Sequence, residues 1–126
     1  EVLELLCPDR IGHGILAAGD DALMKELRER EVVLEICPTS NLLTKSLPDE
    51  DSVRDVLRTF VDNGVLFTIA TDGPEMMRTH LRDEFDLLLR IGALTQDELT
   101  EANARGHEAS FVGGAHAARP NTPVGR

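Results

Sequence analysis

Apolar residues recur three and four positions apart in several stretches of the chain, which is the spacing of one buried face of a helix. Asp20 and Asp21 supply an N-cap and first-turn acids ahead of one such stretch. Thr95, with Glu98 three residues later, forms a capping-box pattern ahead of another. The pattern predicts helices at about residues 1–6, 20–30, 50–62, 79–91 and 96–110.

Three shorter stretches predict strands, at Arg10–Gly14, Glu31–Ile36 and Val65–Ala70. The glycines in the first stretch indicate a close approach of backbone, since a glycine inside a strand leaves room for one. The third stretch is an almost unbroken apolar run, which is typical of a strand buried on both faces of a parallel sheet. We interpret Cys37–Asn41, which follows the second strand, as a loop.

Strands and helices thus alternate along the chain, and this order predicts parallel strands joined by helical crossovers. The 126 residues are fewer than the roughly 200–250 of a complete eight-stranded α/β barrel. Because three strands do not close a barrel, the sequence predicts a portion of a larger α/β protein. We expect residues 1–112 to form that portion and residues 113–126, rich in Gly, Ala, Pro and Arg, to be a flexible tail.

The charge balance changes the set of expected partners. Lysine and arginine total 13 against 23 acidic residues, a formal charge of −10, which argues against nucleic acid or an anionic membrane surface as a partner. No apolar run approaches the roughly 20 residues of a membrane-spanning helix, and residues 1–4 do not resemble a signal peptide. Cys7 and Cys37, without a secretion signal, are more typical of free thiols than of a disulfide. We therefore expect a cytosolic protein.

Polar side chains follow each predicted strand at its carboxyl end, where α/β folds bind ligands. His13 follows the first strand, and its imidazole can act as a proton shuttle or metal ligand, or simply hydrogen-bond at the strand end. Thr39–Asn41 follow the second strand. Asp72 follows the third, where it can serve as a metal ligand or general base, or begin a turn ahead of Gly73.

Three segments carry a family resemblance: Arg10–Gly14, Glu35–Asn41 and Ala70–Asp72, in this order and spacing. Together they resemble the C-terminal portion of the adenosine deaminase family of metal-dependent hydrolases. Residues 94–99 and 109–111 are similar to that family's last helices, so that the resemblance covers roughly residues 2–111. It implies a partial (β/α)8 TIM barrel, of which this chain supplies about the last three β/α units plus the C-terminal helices.

The resemblance implies an activity and roles for two residues. The activity is zinc-dependent hydrolytic deamination of adenosine or a related 6-aminopurine compound, with release of ammonia. His13 matches the histidine that orients the zinc-bound water and acts as base or electrostatic stabiliser. Asp72 matches the aspartate that both binds the single catalytic zinc and holds the attacking water. Cys37–Asn41 match a segment beside the pocket, to which we assign a mainly architectural role.

The chain departs from the family pattern in two respects. Gly73 stands where the family has a second aspartate that hydrogen-bonds the purine, so this substrate-binding position implies a different or larger amino-substituted base. The family's His-x-His and His-Ala-Gly-Glu segments are absent, and we expect His80, His107 and His116 to be solvated. Catalytic zinc needs three protein ligands, whereas Asp72 alone is matched here. We therefore predict that this chain by itself is not a complete enzyme.

Two alternatives remain at this stage, and the oligomeric state is open. One is a non-catalytic relative that keeps the fold and binds no metal, as Gly73 and the missing ligands suggest. The other is an unrelated parallel α/β module that binds Mg²⁺ at its acidic strand ends.

Overall fold

A computed structural model describes residues 2–112 of the chain. Its three strands are parallel, as the sequence predicts, and they form one sheet in the order β1-β2-β3. The strands are β1 (Arg10–Gly12), β2 (Val33–Ile36) and β3 (Phe67–Ile69). The helices are α1 (Val2–Leu6), α2 (Asp21–Glu29), α3 (Pro38–Leu43), α4 (Glu50–Asp62), α5 (Pro74–Met77), α6 (Leu81–Arg90) and α7 (Gln96–Glu108), with a 3₁₀ helix at Ile15–Gly19. The predicted tail at 113–126 lies outside the described residues.

One face of the sheet is apolar and carries the main core. Ile11 pairs with Leu34, and Leu34 pairs with Phe67, so these three side chains form a row across the sheet. Helices α2 and α4 bury their apolar stripes in the same cluster, and the ring of Phe60 lies 6.4 Å from that of Phe67. The residues that α2 and α4 contribute are Met24, Leu27, Val53, Leu57 and Phe60.

The other face of the sheet is polar. Gly12, Glu35 and Thr68 occupy one register row on this face. Helix α7 approaches it so closely that a Cβ on Gly106 would lie 2.6 Å from Thr68 Oγ1. The prediction that the third strand is buried on both faces is therefore confirmed only in part. Phe67 is buried, whereas Thr68, which lies under α7, is only partly buried.

Several predicted helices are confirmed. Helix α4 has the predicted bounds, because Asp49 accepts a hydrogen bond from the Ser52 N–H at 2.8 Å and so caps its start. The capping box of α7 is also present, with the Thr95 N–H donating to Glu98 Oε2 at 2.8 Å and the Glu98 N–H donating to Thr95 Oγ1 at 3.3 Å. No described helix has both the length and the apolar character needed to cross a membrane.

The predicted bounds are wrong mainly where polar segments follow the strands. Residues 38–43 form helix α3 where we predicted a loop, because Pro38 occupies the first helical position and presets its φ angle. The helix predicted from residue 79 is preceded by α5 and begins only at Leu81. Cys7 is exposed and Cys37 is buried, and both are free thiols.

Candidate functional site

The side chains of His13 and Asp72 meet at the carboxyl edge of the sheet. His13 Nε2 lies 3.9 Å from Asp72 Oδ2, although β1 and β3 are separated by β2. The His13 N–H donates to the Glu35 carbonyl at 2.9 Å, which holds the end of β1 against β2. Both side chains are close to half exposed, at 41% and 48%. The structure therefore brings together the two residues predicted to be catalytic.

Both residues have left-handed backbone conformations. The φ angle is 58° at His13 and 62° at Asp72, a region in which histidine and aspartate are several-fold enriched among non-glycine residues. Gly14 follows with a φ of 70°, and a Cβ there would lie 2.8 Å from Leu34 Cδ2. The predicted close approach is thus confirmed at Gly14, whereas a Cβ on Gly12 would meet nothing within 4 Å. The left-handed conformations of His13 and Gly14 also end β1 at Gly12, two residues earlier than predicted.

Helix α3 contacts both site residues. Ser40 Oγ donates to Asp72 Oδ2 at 2.8 Å, and Asn41 Nδ2 lies 3.3 Å from His13 Nδ1. Ser40 and Asn41 are both buried. These contacts were not predicted, because Cys37–Asn41 were interpreted as an architectural loop. Pro38 was the available signal, since a proline that begins a helix places the next three residues on its first turn.

A buried carboxylate holds helix α3 in place. Glu84, in the first turn of α6, has no exposed surface. Its Oε2 accepts a hydrogen bond from the Thr39 N–H at 3.0 Å, and its Oε1 accepts one from Thr79 Oγ1 at 2.9 Å. The residue therefore joins the segment after β2 to the segment after β3, and sequence reasoning gave no role to it.

The thiol of Cys37 is close to this group of acids. Burial and, after it, the negative charges of Asp72, Glu84 and Glu35 together raise the pKa of Cys37 to about 11. Cys37 is therefore protonated at neutral pH, and a neutral thiol is a poor nucleophile and a poor metal ligand.

Gly73 directly follows Asp72 and precedes helix α5. A Cβ at Gly73 would lie 3.7 Å from Met76 Cβ, which is an ordinary contact, so a side chain fits at this position. Its φ of −105° is open to any residue. The other predicted histidines lie elsewhere: His80 and His107 are exposed, as expected, and His116 lies outside the described residues.

His13 and Asp72 can supply only some of the ligands that a zinc site needs. Asp72 offers a carboxylate oxygen and His13 an imidazole nitrogen, and both are donor types that zinc accepts. Within residues 2–112, however, no group of three or more His, Cys, Asp or Glu side chains is arranged to hold a metal ion. The donors fit zinc in kind but not in number.

A cavity of about 730 Å³ adjoins His13 and Asp72. Its size is within the range of small-molecule sites, which are mostly apolar with a few polar groups that fix the ligand's orientation. His13, Ser40, Asn41 and Asp72 supply polar groups, and apolar lining comes from Ile11, Ile15, Leu16 and Leu23 among others.

Comparison with known proteins identifies the family. The family model described as adenosine deaminase matches residues 1–119. The chain belongs to the adenosine deaminase family. This membership excludes the alternative of an unrelated parallel α/β module.

Relatives of this deaminase-family chain are named for three different activities. The chain is 39% identical over 114 residues to an aminodeoxyfutalosine deaminase of Streptomyces coelicolor, and the match covers 89% of this chain and 28% of that protein. An adenine deaminase of Rhizobium rhizogenes is 37% identical, over 89% of this chain and 34% of its own. An adenosine deaminase of Plasmodium knowlesi is 31% identical, over 88% of this chain and 30% of its own.

A solved structure agrees on the fold. The crystal structure of adenine deaminase from Arthrobacter aurescens superposes with a TM-score of 0.80 at 24% identity, covering 94% of this chain and 36% of that one. The chain is therefore part of a TIM barrel, as the sequence predicts. It spans about a third of the length of the relatives and the structure it matches.

Proposed function

We propose that this chain is the C-terminal portion of a zinc-dependent aminohydrolase that removes ammonia from adenosine or a related 6-aminopurine compound. The observation that carries the proposal is the 3.9 Å approach of His13 Nε2 to Asp72 Oδ2 at the carboxyl edge of a deaminase-family sheet. The names of the relatives support a purine substrate, since they are adenosine, adenine and aminodeoxyfutalosine deaminases.

The roles of the two residues follow from their chemistry. Asp72 would be one zinc ligand, and the remaining ligands would come from sequence outside this chain. Zinc, when bound, lowers the pKa of a coordinated water from about 15.7 toward 7. The Asp72 carboxylate accepts a proton from the attacking water, and Ser40 holds that carboxylate in position through its 2.8 Å hydrogen bond. His13 lies beside Asp72 and stabilises charge that develops on the attacking oxygen.

Gly73 would determine which purine is accepted. An aspartate at this position would offer the purine ring a hydrogen-bond partner, and glycine removes it. A charged hydrogen bond contributes about 1.5–3 kcal/mol, or roughly 10- to 150-fold in affinity. The space beside Gly73 admits a side chain. Gly73→Asp in the complete protein should therefore increase kcat/KM for adenosine, and no change for any purine would contradict this role.

The experiment that tests the function uses the complete protein that carries this chain. Zinc content and ammonia release are measured with adenosine, adenine and aminodeoxyfutalosine as substrates. Asp72→Ala should lose most of the zinc and nearly all turnover. His13→Ala should keep the zinc and lose about 10²- to 10³-fold in rate, as expected when one group that stabilises developing charge is removed. Asp86→Ala and His107→Ala, at exposed positions, are the matched controls.

Two outcomes would contradict the proposal. A wild-type protein that binds no zinc and deaminates none of the three purines would be a non-catalytic relative that keeps the fold. Equal zinc loss in His13→Ala and Asp72→Ala would refute the division of roles between these residues.

A further inference from the structure

Asn41 is a buried amide whose side chain reaches the imidazole of His13. Only 2% of Asn41 is exposed, and its Nδ2 lies 3.3 Å from His13 Nδ1. Its Oδ1 is buried and has no hydrogen-bond partner among the described residues. Burying an amide without full hydrogen bonding costs free energy, so a contact to one ring nitrogen at this position needs an explanation.

The backbone of Asn41 is held firmly on α3. Its N–H donates to the Cys37 carbonyl at 2.9 Å, and its carbonyl accepts the Leu47 N–H at 3.1 Å. Thr44 Oγ1 lies 3.4 Å from the same carbonyl. Because the main chain on both sides is hydrogen-bonded, the amide is presented to His13 from a fixed point.

The contact between Asn41 and His13 determines where the imidazole carries its proton. An amide nitrogen only donates, so His13 Nδ1 must accept, and the proton of the neutral ring then resides on Nε2. The opposite amide orientation would place Oδ1 against Nδ1 and leave both Nδ2 protons without partners in the buried position. The observed orientation leaves Oδ1 and one Nδ2 proton unsatisfied. It is the less unfavourable of the two, since orphaned N–H groups are rarer in proteins than under-satisfied carbonyl oxygens.

We propose that Asn41 is a positioning residue that holds the His13 ring in the site and selects the tautomer protonated at Nε2. His13 then presents a donor toward Asp72 Oδ2, 3.9 Å away. An oxygen bound between them would accept from His13 Nε2–H and donate to the Asp72 carboxylate. When the attacking water of the proposed reaction is deprotonated, His13 thus acts as a hydrogen-bond donor to it and Asp72 acts as the proton acceptor.

The tautomer of His13 is inferred from the geometry of Asn41 alone, whereas the effect of that tautomer on catalysis rests on the proposed function. The tautomer is therefore measured first, by NMR spectroscopy. In the complete protein labelled with ¹⁵N-histidine, two-dimensional NMR is recorded as the pH is raised until the His13 signals no longer change. The final spectrum reports which nitrogen of the neutral ring carries the proton. The signals of His13 are those that disappear in His13→Gln.

In the wild type we expect the Nε2-protonated tautomer of His13. In Asn41→Leu the signals should shift toward a mixture of tautomers, and the shorter Asn41→Ser provides the same test if the leucine variant does not fold. Asn103→Leu, at an exposed position on α7, is the matched control and should leave the His13 signals unchanged. A wild-type ring protonated at Nδ1, or an unchanged tautomer in both Asn41 variants, would overturn the proposal.

Turnover separates this inference from the function on which it rests. Loss of one neutral hydrogen bond should lower kcat by about 2- to 10-fold with little change in KM. A lowered kcat together with the tautomer shift supports the positioning role. A tautomer shift in a protein that deaminates no purine supports the role of Asn41 and contradicts the proposed function alone.

Discussion

The Glu84 carboxylate accepts a hydrogen bond from the Thr39 backbone N–H at 3.0 Å, across 45 residues of sequence. The second carboxylate oxygen accepts the Thr79 hydroxyl at 2.9 Å. Thr39 immediately precedes Ser40, which donates to Asp72, so a fully buried acid outside the site supports the contact within it.

Two substitutions of Glu84 should show whether its hydrogen-bond acceptors or its charge contribute more to stability. Glu84→Leu removes both acceptors and leaves two donors unsatisfied, so we expect a loss of about 2–4 kcal/mol in the free energy of unfolding. Glu84→Gln should cost less, because its amide can still accept from Thr39 and donate to Thr79. Urea unfolding of the complete protein measures both variants. Glu26→Leu, at a surface ion pair, is the control, and a loss there equal to that in Glu84→Leu would contradict the supporting role.

Removal of the Ser40 hydroxyl should reduce turnover more than stability. A hydrogen bond to a charged group is worth about 1.5–3 kcal/mol, so Ser40→Ala should lower kcat by roughly 10- to 150-fold if all of it is lost in the transition state. The matched control is Ser52→Ala, since Ser52 Oγ donates to the Asp49 carboxylate at 2.7 Å on the surface. Steady-state ammonia release distinguishes the two variants. Equal activity in both would show that Ser40 does not position Asp72.

The sequence was sufficient to predict the elements whose signals are local. The apolar spacing of residues 50–62 and the Thr95–Glu98 capping box predict α4 and α7 correctly because each depends on neighbouring residues only. His13 and Asp72 were found because parallel strands deliver their carboxyl ends to one edge, whatever the helices between them do.

The parts that could not be predicted depend on contacts between distant residues. Glu84 is an ordinary first-turn acid by its sequence, and only the packing of α6 against α3 buries it. Thr68 interrupts an apolar run, and its place on a polar face is visible only once α7 covers that face. The contact of Asn41 with His13 requires the helical turn that Pro38 begins, which the strand pattern does not reveal.

Glycine substitutions should have opposite outcomes at two nearby positions. Gly14→Ala places a Cβ at a φ of 70° and 2.8 Å from Leu34 Cδ2, so we expect a loss of about 1–3 kcal/mol in stability and reduced turnover through displacement of His13. Gly12→Ala meets open space and should unfold at nearly the wild-type temperature. Thermal unfolding of the two variants is the measurement. Comparable destabilisation by both would contradict the steric argument.

Acid should weaken the protein partly through Glu98. The Thr95 backbone N–H, and after it the Arg58 guanidinium, hold the pKa of Glu98 below its ordinary value of 4.5. A lowered folded-state pKa stabilises the fold above pH 4.5, and this contribution is lost as the pH falls through the folded value. Glu98→Gln should therefore be less stable at neutral pH and show a shallower loss below pH 4.5.

The control for the acid effect is Glu50, whose pKa is also lowered, by hydrogen bonding to Arg90. Its side chain is 46% exposed, against 24% for Glu98. The effect of Glu50→Gln should largely disappear in about 1 M salt, where charges are screened beyond about 3 Å. Unfolding free energies at several pH values and two salt concentrations test both variants. Parallel pH profiles for Glu98→Gln and the wild type would contradict the role of Glu98.

The 126-residue chain, expressed alone, should self-associate. Among the described residues, β1 and β3 each pair with β2 only, so each has a free edge that can pair with another chain. The side chains of Leu6 and Leu16, which precede and follow β1 in the sequence, are 72% and 88% exposed. Each methylene left in water forgoes about 0.8 kcal/mol, against a net domain stability of only about 5–15 kcal/mol. Sedimentation velocity and thermal unfolding should therefore show oligomers or aggregates and no sharp transition.

Charge placed on this surface should reduce the association of the isolated chain. Leu16→Lys replaces an exposed apolar side chain with a cation, which any contact between chains that covers position 16 would have to bury. Met76→Lys, at a position 81% exposed on α5, is the matched control and should associate like the wild type. A wild-type monomer with a cooperative transition would show that the chain is a self-sufficient domain. Stoichiometric zinc in that monomer would in addition overturn the proposal that further ligands come from outside it.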